Sequence, residues 1–428
     1  MNKSIASILA LAVTTSLAFA NGGEGEKKKN PYSLKNSGWT PGSGITVVDD
    51  DAMSMNIGGR IQAGYNYTDF DENAEGLGFQ DTSSFDVERA RVRFSGHIVN
   101  EHLTYLLQLE ATNDGDNVKD AWAHWNFWNN EGNHIGVRLG QGKSYYGLES
   151  TGSSANLWFV NRSLATQIFS DIRSTGAIFT GHHMENKLRW SAGLQNGTVA
   201  AGSAFDNGDS ASNNDTELNF VSHVNFDPLG DMMNGGSNLN FKQGDLAHNG
   251  EVKGTVGLGY AIGNNTYQPS GDNYAVDSNS VNVNTAWRFG NGWSAQAEFF
   301  GRDDEQRSDS TNSEDSDGYY AQVGYSLAHN PDAMVQWGFG ARYGMVDLQG
   351  NEAQPGGLTI FMPGQGGASP VGLPPGVTQE ISLVATAFMA GHNAKAQFEY
   401  SMSEYEADDS SLPTLEADKI SVLFTLVF

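Results

Sequence analysis

The final eleven residues, Asp418 to Phe428, read DKISVLFTLVF, with an apolar side chain at every second position from Ile420 to Phe428. A period of two indicates a β-strand with one apolar face. In lipid, the edge of an open sheet would leave backbone groups unpaired, so spanning strands occur in closed barrels. A last strand that ends on an aromatic residue is typical of bacterial outer-membrane barrels, and it predicts that fold here.

The first twenty residues have the organisation of a secretory signal peptide. Lys3 gives a basic start, residues 5–17 are apolar, and Ala18 and Ala20 supply a small-residue cleavage site. The apolar run is shorter than the roughly 20 residues that a membrane-spanning helix needs. We therefore expect residues 1–20 to be a signal peptide that is cleaved near Ala20 on export to the outer membrane.

Period-two alternation occurs in about sixteen segments, the terminal one included, and most of them are about ten residues long, which suits tilted strands that cross a bilayer. The segments are 54–67, 85–99, 103–113, 118–128, 133–141, 175–183, 186–197, 217–226, 253–262, 278–289, 292–302, 317–328, 332–346, 379–390, 393–405 and 417–428. Short connections alternate with long polar ones, as in an up-and-down barrel, whereas a β-sandwich would lack this regularity. The connection at 227–251 breaks the rhythm, being long for the periplasmic side.

The predicted fold class is therefore all-β, a transmembrane antiparallel up-and-down barrel of about 16 strands over residues 54–428. Residues 21–53 show no alternation and are interpreted as a periplasmic N-terminal extension. The chain contains no cysteine, which excludes disulfides and thiolate chemistry.

The formal net charge of −26 would by itself suggest a channel that repels anions. The positions of the charges change that expectation, because the apolar phase of each strand fixes which residues face the lumen. The predicted inward cations are Arg60, Arg89, Arg91, Arg93, Arg138, Arg189, Arg288, Arg342, Lys187, Lys253 and Lys395. Fewer acids share the inward phase, namely Glu110, Asp120, Glu217, Glu298 and Glu399. The other acids crowd the long loops, as solvated surface or as sites where divalent cations bridge to lipopolysaccharide.

The run FDVERARVRF at residues 85–94 places Arg89, Arg91 and Arg93 on one face of a strand. An arginine facing lipid near the bilayer midplane would cost about 2–4 kcal/mol, so these side chains are expected to face water or acids such as Glu110 and Asp120. A network of salt bridges in the wall and a track for anions both fit this pattern, and the two can coexist.

A long connection from Gly142 to Ser174 follows the fifth strand, where large porins fold a loop into the lumen, and it contains Lys143, Arg162 and Arg173. At this point the sequence resembles the phosphate-selective porin O and P family. The resemblance rests on five stretches in order: 85–96 (FDVERARVRFSG), 118–121 (VKDA), 140–149 (GQGKSYYGLE), 159–164 (FVNRSL) and 225–230 (NFDPLG).

The resemblance implies a 16-stranded homotrimer with an inward-folded third loop. It also implies that Lys143 and Arg162 are cations of the constriction and that Asp120 is the acidic partner of a wall formed by Arg89, Arg91 and Arg93. The implied function is that of an outer-membrane porin for passive diffusion of small hydrophilic solutes, with anions such as phosphate favoured. Its expected surroundings are outer-membrane lipid and lipopolysaccharide.

Three alternatives stay open at the level of the sequence. Lysines are few beyond the N-terminal tail, so a general or cation-tolerant porin without phosphate selectivity is the first. A barrel-embedded hydrolase would need a Ser-His-acid geometry, and no Gly-x-Ser-x-Gly elbow supports one. A structural or adhesive barrel would carry no current. We expect no enzyme activity, cofactor, metal or nucleic-acid partner.

Overall fold

The computed structural model of the protein describes residues 38–40, 42, 44–112, 117–130, 132–170, 173–196, 218–233, 241–267, 274–306, 313–330, 333–349, 376–408 and 412–428. The predicted signal peptide, residues 1–20, lies outside these ranges and stays a prediction. Within the described ranges, the helices are all too short or too polar to cross a membrane.

Sixteen antiparallel strands form a closed barrel, which confirms the predicted fold class. They are β3 (Ser54–Phe70), β4 (Thr82–Ile98), β5 (Asn100–Glu110), β6 (Val118–Asn130), β7 (Asn133–Lys143), β8 (Arg173–His183), β9 (Leu188–Gln195), β10 (Asn219–Phe226), β11 (Lys253–Tyr267), β12 (Tyr274–Arg288), β13 (Trp293–Gln306), β14 (Ser313–Ser326), β15 (Gln336–Leu348), β16 (Gly376–Phe388), β17 (Ala394–Ala407) and β18 (Leu415–Val427). Each strand pairs with the next in sequence, and β18 returns to pair with β3 from Ala417↔Phe70 to Val427↔Arg60.

Each predicted segment overlaps one strand, but the ends differ: the strands at 103–113, 186–197 and 332–346 stop short of a predicted end, and several others extend beyond the alternating residues. β11 continues to Tyr267, and β12 begins at Tyr274, although the alternation in the sequence predicts strands only to 262 and from 278. These extensions lie on the side of the long loops. Outside the bilayer both faces of a hairpin meet water, so pairing can continue there without an apolar phase.

Two short strands precede the barrel, within the segment predicted to be an extension. They are β1 (Gly38–Thr40) and β2 (Gly44–Asp49), and β2 pairs with the first residues of β3. The end of β18 meets β3 just beyond this pairing, where the Gly59 amide donates to the Phe428 carbonyl at 2.7 Å. A Cβ atom at Gly59 would lie 2.5 Å from the Phe428 ring, so glycine there makes room for the terminal aromatic side chain.

A β-bulge in β4 changes the phase of alternation just before the arginine run. Gln62 on β3 pairs with Arg89, whereas Gly64 pairs with Asp86, so β4 carries one extra residue between these pairs. Phe85 has the same odd parity as Arg89, yet Phe85 is 85% exposed while Arg89 approaches the Gln62 amide oxygen at 3.5 Å. The bulge therefore lets Phe85, which precedes it, face the outer surface while Arg89, which follows it, faces the lumen.

The two faces of the barrel differ as the apolar phase predicts. Large apolar side chains are exposed on the outer surface, among them Ile61, Trp125, Leu139, Phe179, Leu258, Val283, Phe339, Leu383, Phe398, Ile420 and Phe424. Polar side chains at the intervening positions are buried, among them Gln62, Asn282, Asn284, Ser382, Thr386, Gln397 and Thr425. The outer surface thus suits lipid, and the hydrogen-bonding groups lie inside.

Candidate functional site

The connection between β7 and β8 folds into the barrel over its described residues 144–170, as predicted; these residues are called the constriction loop below. It contains α2 (Leu148–Thr151), a 3₁₀ turn (Ser154–Asn156) and α3 (Leu164–Phe169); α1 (Glu72–Gly76) lies in the loop after β3. Ser163 caps α3 by accepting a hydrogen bond from the Thr166 amide at 3.2 Å. The apolar side of α3 packs on the barrel wall, where the Phe169 ring stacks on Phe300 with centroids 5.9 Å apart.

Two wall carboxylates hold the backbone of this loop. Glu298 on β13 accepts hydrogen bonds from the amides of Leu148 at 2.9 Å and Glu149 at 2.7 Å, and from the Tyr320 hydroxyl at 2.7 Å. Glu399 on β17 accepts from the Val160 amide at 2.6 Å. Both acids were predicted to face inward, and the structure shows that they anchor the loop.

Wall cations hold the same loop through its carbonyl groups. Arg342 on β15 donates to the Asn161 carbonyl at 2.9 Å and is paired with Glu380 at 3.2 Å. The Lys395 ammonium on β17 donates to the Leu157 carbonyl. These two cations are buried against the loop. Their role is therefore to hold the loop on the part of the wall that β13 to β17 form.

Replacing Glu298 by alanine is expected to loosen the constriction loop. Each buried amide that loses its acceptor costs about 1–3 kcal/mol. We expect Glu298→Ala channels in planar bilayers to show larger and noisier open-channel currents than wild type. Glu416→Ala, which removes an exposed carboxylate from β18, is the control. A quiet Glu298→Ala channel of wild-type conductance would contradict the anchoring role.

A second set of charged side chains in the lumen is a cluster of guanidinium groups from β3, β4, β8 and the constriction loop. This arginine wall consists of Arg60, Arg89, Arg91, Arg93, Arg162 and Arg173. In the strand register, Arg60 lies directly opposite Arg91. Like charges at opposed positions repel each other, so part of the cluster requires acidic partners.

Within the part of the chain that the structure describes, two members of the arginine wall have such partners. Arg91 is paired with the buried Glu110 carboxylate. Arg173 donates twice to Asp120, at 3.2 Å and 3.1 Å, in a two-point contact that fixes the guanidinium plane. The ion pair of Asp120 is therefore with Arg173, whereas the family resemblance implies that Asp120 is the partner of Arg89, Arg91 and Arg93.

Arg162 extends from the constriction loop toward this wall. Its guanidinium donates to the carbonyls of Glu149 at 3.2 Å and Gly152 at 2.9 Å, and Arg89 and Arg173 lie close enough to interact with it electrostatically. Burial lowers the pKa of Arg162 to about 9, against the opposing effect of Glu149, so it stays protonated at neutral pH. Among the described residues, no carboxylate forms an ion pair with Arg162 or Arg89.

The other predicted site residues, Lys143, Arg138 and Arg189, bind backbone carbonyls or a buried carboxylate. Lys143 is 8% exposed, and its ammonium donates to the Ser150 carbonyl at 2.8 Å. Arg138 donates to the Lys143 carbonyl at 2.7 Å and lies over the Tyr145 ring. Arg189 is buried in a two-point contact with Asp227 near the periplasmic end of β9. Lys143 and Arg138 thus support the start of the constriction loop, and Arg189 is not part of the arginine wall.

A second segment also enters the lumen, which the alternation in the sequence did not predict. The connection between β10 and β11, residues 227–251, carries the buried side chains of Phe241, Gln243 and Asp245. Gln243 contacts the constriction loop directly, since its side-chain oxygen accepts from the Trp158 amide at 2.6 Å. The only signal in the sequence was the unusual length of this connection.

Comparison with known proteins gives a family and a fold. The pattern of the family described as phosphate-selective porin O and P matches residues 55–349. The structure is similar to the anion-selective porin from Comamonas acidovorans, at 10% identity over 87% of this chain and 100% of that chain, with a TM-score of 0.51. It is also similar to the outer membrane channel DcaP of Acinetobacter baumannii, at 11% identity over 88% of this chain and 98% of that chain, with a TM-score of 0.53. No curated protein sequence matches the chain.

Proposed function

This chain belongs to the phosphate-selective porin O and P family and is an outer-membrane porin, and we propose that small anions cross its channel along the arginine wall. One observation carries the proposal. Six guanidinium groups share one side of the lumen, and the described residues place acidic partners only on Arg91 and Arg173. The remaining cations leave a net positive potential on the path of a solute.

The distribution of the acids supports the same proposal. Glu298 and Glu399 accept hydrogen bonds from loop amides, and Glu149 accepts from the Ser163 amide at 3.0 Å and from Gln243 at 3.0 Å. These carboxylates are buried in the packing between loop and wall. Their negative charge is therefore less available to a passing ion than the charge of the partly exposed Arg89 and Arg162.

The magnitudes are sufficient for selectivity. A unit cation and anion 4 Å apart attract each other by about 1 kcal/mol in water and about 4 kcal/mol at an effective dielectric constant near 20. Since about 1.4 kcal/mol corresponds to a tenfold preference, a few guanidinium groups set the sign of the selectivity. Conduction also requires weak binding at several successive sites, which a ladder such as Arg89, Arg91 and Arg93 provides.

Phosphate is the solute class that this arrangement suits best. A guanidinium group donates two parallel hydrogen bonds to phosphate oxygens, which chloride cannot accept in that way. We expect phosphate added to a chloride solution to reduce the single-channel current in a saturable manner. A current that changes only in proportion to the bulk conductivity of the solution would contradict phosphate binding and would favour a general porin.

The proposal extends to assembly and surroundings. The family and the fold indicate a channel rather than an enzyme. We propose a homotrimer in the outer membrane, reached after removal of residues 1–20, with lipid and lipopolysaccharide around the apolar outer surface. The exposed apolar side chains of the strands support contact with lipid.

A further inference from the structure

The second segment inside the lumen is the connection between β10 and β11, called the inward turn below; its described residues are 227–233 and 241–251. Its start is held by Asp227, which is completely buried and accepts from both terminal nitrogens of Arg189 and from the Met232 amide at 2.6 Å. Met232 and Phe241 pack in one buried apolar cluster with Leu148 of the constriction loop. Both described parts of the inward turn therefore pack against the constriction loop, the first through Met232 and the second through Phe241.

Gln243 joins the inward turn to the constriction loop through its side chain and its backbone amide, and its carbonyl faces the turn between β16 and β17. Its side chain accepts from the Trp158 amide at 2.6 Å and donates to the Glu149 carboxylate at 3.0 Å. Its backbone amide donates to the Asn156 carbonyl at 3.0 Å, and its carbonyl is 2.8 Å from His392 Nε2. A buried network of this kind is rigid when all of its members are satisfied.

The next residue requires a glycine for the same packing. Gly244 has φ of +87°, and a Cβ atom there would lie 2.0 Å from the Trp158 ring. The indole of the constriction loop therefore lies directly on the backbone of the inward turn. The two loops have complementary surfaces at this contact.

The inward turn then reaches the periplasmic ends of several other strands. Arg288 on β12 donates to the Lys242 carbonyl. Further along, the Asp245 carboxylate accepts from the Gly292 amide at 2.9 Å, and the Asp245 carbonyl accepts from the Ser326 hydroxyl at 2.5 Å. The Leu246 carbonyl accepts from Gln336 at 3.2 Å. Residues 242–246 therefore extend across the periplasmic mouth from the end of β12 to the start of β15.

We infer that the inward turn is a second constriction, which blocks the β12–β17 side of the periplasmic mouth and confines solutes to the side of the arginine wall. Gln243 is the positioning residue that fixes both loops relative to each other. The inference rests on the proposed function, because it assumes that solutes cross this lumen. With this second constriction, the periplasmic exit determines conductance and selectivity together with the constriction loop.

A single introduced cysteine tests the position of the inward turn, since the natural chain has none. Lys242 is exposed between the buried Phe241 and Gln243, so Lys242→Cys offers one thiol at the proposed constriction. We expect a bulky methanethiosulfonate reagent added from the periplasmic side to reduce the single-channel current by roughly half. Ala328→Cys, on an exposed periplasmic connection between β14 and β15, is the matched control and is expected to stay silent. A modified Lys242→Cys channel with unchanged current would overturn the inference.

A second variant tests the coupling of the two loops. Gln243→Ala removes the side-chain bonds to Trp158 and Glu149, and we expect conductance to rise roughly twofold while anion preference falls. Gln349→Ala, an exposed glutamine after β15, is the control. If Gln243→Ala does not fold, the modification of Lys242→Cys still tests whether the inward turn narrows the channel. A wild-type channel without anion preference would overturn the proposed function, whereas the current change at position 242 tests the second constriction independently of ion preference.

Discussion

Replacing Arg89 and Arg162 together by glutamate is expected to convert the channel from anion to cation preference. These two guanidinium groups have no carboxylate partner among the described residues, and both belong to the arginine wall, one on β4 and one on the constriction loop. The double reversal turns two attractive charges into repulsive ones. Since about 1.4 kcal/mol gives a factor of ten, we expect the anion-to-cation permeability ratio to fall by more than about tenfold.

The matched control for this variant is the double replacement Arg89→Lys and Arg162→Lys. It keeps both charges but loses the planar fork of the guanidinium group. We expect it to retain anion preference in chloride and to lose part of the phosphate effect. Anion preference that survives the glutamate replacements would show that the arginine wall does not set selectivity.

Replacing Arg189 by methionine is expected to produce the largest loss of stability. The Arg189 and Asp227 side chains are 2% and 0% exposed, and their two hydrogen bonds measure 2.7 Å and 2.6 Å. Removal of one partner leaves an uncompensated buried charge, which costs about 3–5 kcal/mol. We expect the denaturant midpoint of the refolded barrel to fall accordingly.

The double variant Arg189→Met with Asp227→Leu separates the ion pair from general packing. Because it removes both charges, we expect it to recover part of the lost stability, although the Met232 amide still loses its acceptor. A single Arg189→Met variant within about 0.5 kcal/mol of wild type would contradict the structural role given to this residue.

The two loops explain how a strongly acidic chain forms a cationic passage. The constriction loop and the inward turn occupy the β12–β17 side, where buried carboxylates such as Glu298 and Glu399 satisfy loop amides. Other acids lie on the long-loop side of the strands, for example Asp303 and Asp315, which face each other in the β13–β14 register. The net charge of −26 therefore describes the molecule as a whole and not the arginine wall.

Alternation in the sequence predicted the strands, the closed barrel and the inward direction of the arginines, because a lipid face and a polar lumen impose a period of two. It did not predict the bulge in β4, where Phe85 and Arg89 have the same parity but different directions. A bulge adds one residue and reverses the phase, so it can be recognised only when both flanking patterns are compared with the partner strand.

The inward direction of a side chain also did not predict whether its charge is available to a solute. Arg138 and Arg189 share the inward phase with Arg89, and Lys143 was expected at the constriction, yet each is buried against a carbonyl or a carboxylate. Their partners belong to loop residues whose paths depend on packing inside the barrel. The inward turn shows the same limit, since a long polar connection does not reveal whether it lies inside or outside the lumen.

The zero-current potential of the wild-type channel in a planar bilayer with a potassium chloride gradient tests the arginine wall most directly. If the guanidinium groups face the conducting passage, the potential takes the sign of chloride selectivity and decreases in magnitude as ionic strength screens the charges. A potential with the sign of potassium selectivity would contradict the account.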